Sequence, residues 1–149
     1  STASVNIAWT AIPSLSIAIT PSATSSKILV QYNVNIGMES GSHSGVGTGI
    51  YRDGTIISGA KGASLLTNQQ ATTTVAEHYN HGDGNVGIGI HSMSYLDSPN
   101  TESTITYQVY LFNASGSAFL AYVNRSQNDT TQLYITRGAS TITVMEVAV

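Results

Sequence analysis

Apolar and polar residues alternate along almost the whole chain, and no segment carries the three-to-four spacing of a helical stripe. The clearest case is KILVQYNVNI at 27–36. Ile28, Val30, Tyr32, Val34 and Ile36 fall on one face and Gln31, Asn33 and Asn35 on the other, which is the period of a strand with one wet face. The same period predicts strands at Val5–Trp9, Leu15–Ile19, Lys27–Ile36, Gly47–Arg52, Thr55–Ser58, Thr72–Tyr79, Val86–Leu96, Thr104–Phe112, Ala118–Asn124, Thr131–Thr136 and Thr141–Val147. Asp53-Gly54, and HGDGN at 81–85, carry the Asp-Gly signal of tight hairpins, while ESGSHSG at 39–45 and SQND at 126–129 mark longer loops. Short strands at regular spacing predict an all-β fold, an antiparallel double-sheet jelly-roll sandwich forming a single domain over residues 1–149.

Three stretches qualify this picture. Asp97-Ser98-Pro99 places an acid and a hydroxyl beside a proline, but the alternating strand that follows makes it a turn: Asp and Ser bond nearby backbone and Pro fixes φ. In STITVMEVAV, Ile142 and Val144 share a face, yet Met145, Val147 and Val149 form a second apolar set. Glu146 then points inward unless the register slips at a bulge, which is the expectation here. Val86–Leu96 is two-sided as well, with Val86, Ile88 and Ile90 opposite Met93 and Tyr95. Two-sided strands in a small sandwich imply cover by a second subunit.

Composition narrows the function. A chain of 149 residues can bury a full core without staples, and having no cysteine it excludes thiolate metal sites, cysteine nucleophiles and disulfide scaffolds. Charged residues are only 9% of the chain, so its surface must be largely hydroxyl and amide, suited to water and sugars. A net charge of −3 with five Lys and Arg offers no footprint for nucleic acid. No apolar run approaches a membrane span and no signal peptide is recognisable, so neither membrane insertion nor an anchor is expected.

Candidate chemistry is sparse. EHYNHGDGN gathers Glu77, His78, His81 and Asp83, of which His78, His81 and Asp83 are weak metal-ligand candidates. On an extended segment His78 and His81 leave opposite faces and converge only if the hairpin begins at Tyr79. No metal or cofactor is therefore expected. His91 belongs on a packed or subunit face and His43 in a mobile loop, and no Gly-x-Ser-x-Gly elbow supports a hydrolase. The glycines of SGVGTGIYRDG lack the Lys-Ser/Thr ending of a phosphate loop. No catalysis is expected. The Asn-x-Ser/Thr triplets at Asn113, Asn124 and Asn128 are expected to be unmodified.

SSKILVQYNVNIG, YRDGTII, YLDSPNTESTITYQVYLF and the terminal STITVMEV, in that order, resemble the C-terminal head domains of bacteriophage fibres, particularly in phages of marine bacteria. The resemblance spans nearly the whole chain. It implies a virion protein, a homotrimer of jelly-roll heads related in shape to tumour-necrosis-factor heads, that touches a host surface polysaccharide or protein, alongside other virion proteins. Receptor contacts are expected on the loops, with Tyr79, His81, Asp83, Asn85 and His43 as candidates. Met93, Tyr95 and Met145 are the candidates for the trimer interface, and Trp9, Tyr51, Tyr79 and Tyr95 could act as stacking platforms if exposed. A capsid decoration or cement protein is the alternative, and a cellular carbohydrate-binding module a third.

Overall fold

The structure, a computed structural model, describes residues 2–5, 8–38, 44–63, 71–78, 87–113, 119–133 and 135–148. Among these residues ten strands run in chain order: β1 (Thr2–Val5), β2 (Thr10–Ile19), β3 (Lys27–Met38), β4 (Ser44–Arg52), β5 (Thr55–Ile56), β6 (Thr74–His78), β7 (Ile88–Asp97), β8 (Ile105–Asn113), β9 (Phe119–Val123) and β10 (Thr141–Val147). A short 3-10 turn, Ser58–Ala60, follows β5.

The strands form two five-stranded antiparallel sheets. In sheet A, β3 is flanked on one side by β7 and on the other by β10 and β9, with β1 beyond β9. In sheet B the order is β2, β8, β4, with β5 and β6 both paired to β4. The chain changes sheet at most connections, the exceptions being β4 to β5, β5 to β6 and β9 to β10, which produces the predicted double-sheet jelly roll.

Alternation drives the layering. Ile28, Val30, Val34 and Ile36 of β3 are fully buried against Ile105, Tyr107, Val109 and Leu111 of β8 and Val46 and Ile50 of β4, in one apolar cluster. Each aliphatic side chain so buried contributes about 1.5–3 kcal/mol. The turn Asp53-Gly54 has φ of 47° and 77°, the left-handed pair that suits the twist of a two-residue hairpin. Asp53 also locks the hairpin down: its N–H donates to Thr106 O and its Oδ1 accepts from Thr106 N.

Several expectations need correction. β2 starts at Thr10 rather than Leu15, because a register shift between Ala11 and Ser16 absorbs Pro13, which is exposed and cannot donate to the ladder. Only Val5 of the expected Val5–Trp9 strand lies in β1. Thr131–Thr136 is no strand among the described residues. Leu133 is wholly exposed there, Ile135 N donates to Gln132 O in a turn, and Arg137 reaches back to Asp129 through two bonds of 3.0 and 2.6 Å. β10 has no bulge: it pairs with β3 in unbroken register from Thr141↔Asn33 to Val147↔Lys27. Glu146 sits opposite Ile28, at the open end of the sandwich. There Ser22 donates to its carboxylate from Oγ at 2.6 Å and from N at 2.7 Å, bonds that hold its pKa below the usual value.

Candidate functional site

The parity of β7 puts His91, Met93, Tyr95 and Asp97 on its inner face, in step with Val34, Tyr32, Val30 and Ile28 of β3. Asp97 is therefore buried, and its carboxylate does not cap a local turn as expected. Its Oδ2 accepts from Arg52 Nη1 and from the Tyr107 hydroxyl, each at 2.7 Å. Arg52 ends β4 and Tyr107 lies on the inner face of β8, so one carboxylate ties β7 of sheet A to two strands of sheet B. Burial, then the hydrogen bond to Asp97 and its negative charge, raise the pKa of Tyr107, with Arg52 opposing. RDGT and LDSP, far apart in sequence, are thus joined by an ion pair.

A second polar network crosses the core. The Tyr32 hydroxyl lies 2.5 Å from Thr48 Oγ1, Thr48 bonds Thr74, and Thr74 Oγ1 lies 2.9 Å from His91 Nδ1. Thr48 and His91 are buried, so the expectation of a packed His91 is met. Burial raises the Tyr32 pKa, and the bonds with Thr48 and Thr74 oppose that rise.

The outer face of sheet A is laid out in cross-strand rows. Leu96, Leu29 and Met145 form one row across β7, β3 and β10. Ser94, Gln31 and Thr143 form the next, and Ser92, Asn33 and Thr141 the one after. Leu96 is 44% exposed and Met145 47%, so the first row is an open apolar strip. The other two are uncharged hydroxyl–amide–hydroxyl rows, with Asn33 donating to Ser92 at 2.9 Å, lining a shallow depression of about 520 Å³.

On the outer face of sheet B an aromatic cluster has formed. Tyr51 stacks on Tyr110 with ring centroids 3.8 Å apart, and Trp9 packs against Tyr51 at 5.7 Å and Phe112 at 5.2 Å. Gly49 makes this possible, since a Cβ there would sit 2.8 Å from the Trp9 ring. Burial, followed by repulsion from Tyr110, pushes the Tyr51 pKa up to about 12.

Raised folded values mean that the stability these tyrosines contribute is full below pH 10, their unfolded value, and is lost as pH rises toward about 12 for Tyr51. Base titration should therefore show tyrosinate absorbance growing together with loss of β-sheet circular dichroism. Tyr51→Phe should move that transition to higher pH, and an unmoved midpoint would refute the coupling.

Of the residues singled out in the sequence, Tyr79, His81, Asp83, Asn85 and His43 lie outside the described residues. His78 ends β6, opposite Ser44. Among the described residues no group of three or more His, Asp or Glu side chains is placed to hold a metal ion. The trimer-interface candidates divide. Met93 and Tyr95 are part-buried against the core of their own sandwich, so they do not need the outside cover expected for them, whereas Met145 faces out. Of the described triplet asparagines, Asn113 is fully buried, and the Asn124 side chain accepts from Ser140 at 2.5 Å. Sequence reasoning missed Leu29 and Leu96 as partners of Met145; the signal was there in their odd-and-even parity once the strand register is fixed. It also missed the Arg52–Asp97 pair, which needs knowledge of which strand ends meet. Compared with known proteins, the chain matches no family model and no curated sequence.

Proposed function

We propose that the protein is the head domain of a viral fibre, a homotrimer assembled through the outer face of sheet A that presents a neutral, hydroxyl-rich surface to a glycan on the host cell. The observation that carries this reading is the open apolar row Leu96–Leu29–Met145 beside two uncharged polar rows. Such a face associates by burial of apolar surface and side-chain hydrogen bonds, not by ion pairs. A second support is spatial. SSKILVQYNVNIG contains most of β3, which pairs directly with STITVMEV in β10, and YRDGTII and YLDSP are joined by Arg52 and Asp97. The pieces that resemble phage fibre heads are neighbours in one framework.

The mass in solution should be near three chains and insensitive to high salt. Leu29→Glu combined with Met145→Glu, which places unpaired charges in the row, should yield folded monomers; a wild-type monomer, or an undisturbed assembly in the double variant, counts against the interface. Labelled protein should adsorb to some strains of a panel of marine bacteria, and periodate, which cleaves vicinal diols, should abolish adsorption. Adsorption removed by protease and kept after periodate would replace the glycan with a protein receptor. Binding to capsids with no adsorption to cells would favour a decoration protein.

A further inference from the structure

The clasp between Arg52 and Asp97 does not use up either group. Asp97 is only 4% exposed, and both of its side-chain bonds, from Arg52 and Tyr107, end on Oδ2. Among the described residues Oδ1 has no hydrogen-bond partner, although a buried carboxylate oxygen ordinarily finds one. Arg52 carries five N–H donors and spends Nη1 alone on Asp97, while about a third of its side chain remains exposed. Both residues line a cleft of about 340 Å³ between β5 with its following 3-10 turn and the end of β7, together with Thr55, Ser58, Tyr95 and Ser98. Gly59 shapes the wall: a Cβ there would lie 2.3 Å from the Tyr95 hydroxyl, so the missing side chain lets that hydroxyl stay in place.

We infer that this cleft binds a neutral sugar ring through a pair of vicinal hydroxyls. A free N–H of Arg52 donates to one hydroxyl oxygen, and the adjacent hydroxyl donates to Asp97 Oδ1. The adjoining serine and threonine hydroxyls supply further partners, and Ile56 with the Tyr95 ring offers apolar surface to the C–H face of the sugar. Neutrality follows from charge: Arg52 and Asp97 cancel, and every other lining residue is uncharged, so an anionic sugar gains nothing over a neutral one. The volume lies at the low end of the ~300–1,000 Å³ typical of small-molecule sites, room for about one or two rings. The loop that reads as turn chemistry in the sequence is then also the floor of a binding site.

This inference rests on the reading of the protein as a glycan-binding head and names where the glycan sits. The test is an NMR titration of the intact protein with methyl glycosides of glucose, galactose, mannose and fucose. At least one should shift the Arg52 Nε–H and the backbone amides of residues 55–58 and 95–98, with a dissociation constant on the order of 1 mM, as suits a ligand of about a dozen heavy atoms. Ser58→Trp and, separately, Thr55→Trp fill the cleft from exposed positions without touching the clasp. Each should remove those shifts at an unchanged melting temperature and reduce adsorption to cells at least tenfold. The inference is overturned if no glycoside shifts these signals, or if both tryptophan variants bind glycoside as the wild type does. Wild-type adsorption to cells with a silent cleft would sink the cleft and leave the head reading standing. Glycoside binding in the cleft with no adsorption to any strain would do the reverse.

Discussion

Arg52→Met is expected to lower stability by about 3 kcal/mol, because it leaves the buried Asp97 carboxylate with the Tyr107 hydroxyl as its remaining partner. Breaking a fully buried pair costs ~3–5 kcal/mol, and the lower end applies since the arginine side chain is 33% exposed. For a chain of this length the melting temperature should fall by ~6–12 °C. Methionine keeps much of the arginine stem's volume, so lost packing contributes little. Adding Asp97→Leu and Tyr107→Phe removes the stranded charge and the hydroxyl that served it, and this triple variant should recover most of the loss. Thermal and urea unfolding of the three proteins measure both effects. A loss below about 1 kcal/mol in the single variant would mean that the pair behaves as an ordinary surface salt bridge.

How much of this could be read beforehand depends on how far apart in sequence the interacting residues lie. The wet and dry faces of β3 follow from alternation alone, and Ile28, Val30, Tyr32, Val34 and Ile36 are buried as the pattern requires. The hairpin at Asp53-Gly54 is a local φ requirement and was equally legible. Pro13 hid the first half of β2, because a bulge that lets a strand pass a proline leaves no trace in period-two counting. Glu146 looked like an error of register for a different reason. Inward is not the same as buried at the end of a sandwich, where Ser22 and solvent can serve a carboxylate. In Thr131–Thr136 alternation was present, but Asp129 and Arg137 close a loop that no apolar pattern announces.

The cleft and the outer rows were the least legible. Arg52 and Asp97 come together because β4 ends and β7 ends at the same corner of the jelly roll, a fact of sheet order rather than of composition. Met145 was recognisable as an apolar residue on the wrong face, whereas the row it completes with Leu29 and Leu96 exists only once β10, β3 and β7 are in register. The same holds for Trp9, whose place over Gly49 and beside Tyr51 no spacing rule connects.

The hydroxyl chain inside the core gives the other large effect. Thr48→Val is nearly isosteric, but it removes the partner of the Tyr32 hydroxyl at 2.5 Å, leaving that hydroxyl only its weaker interaction with Thr74, and it takes one partner from Thr74 Oγ1. Tyr32 is 3% exposed, so water cannot easily replace the threonine, and a buried hydroxyl stripped of its main partner costs ~1–3 kcal/mol beyond the bond itself. The expected loss is about 3 kcal/mol, with Thr74 retaining His91. Adding Tyr32→Phe removes the poorly served hydroxyl, and the double variant should then be more stable than Thr48→Val alone. Tyr32→Phe by itself should cost only about 1 kcal/mol, since Thr48 keeps Thr74. A double-mutant cycle by urea unfolding reads the coupling directly. If the two losses simply add, the hydroxyls do not depend on one another and the chain is a set of separate contacts; if the second substitution rescues the first, the core polar groups of the two sheets act as one unit.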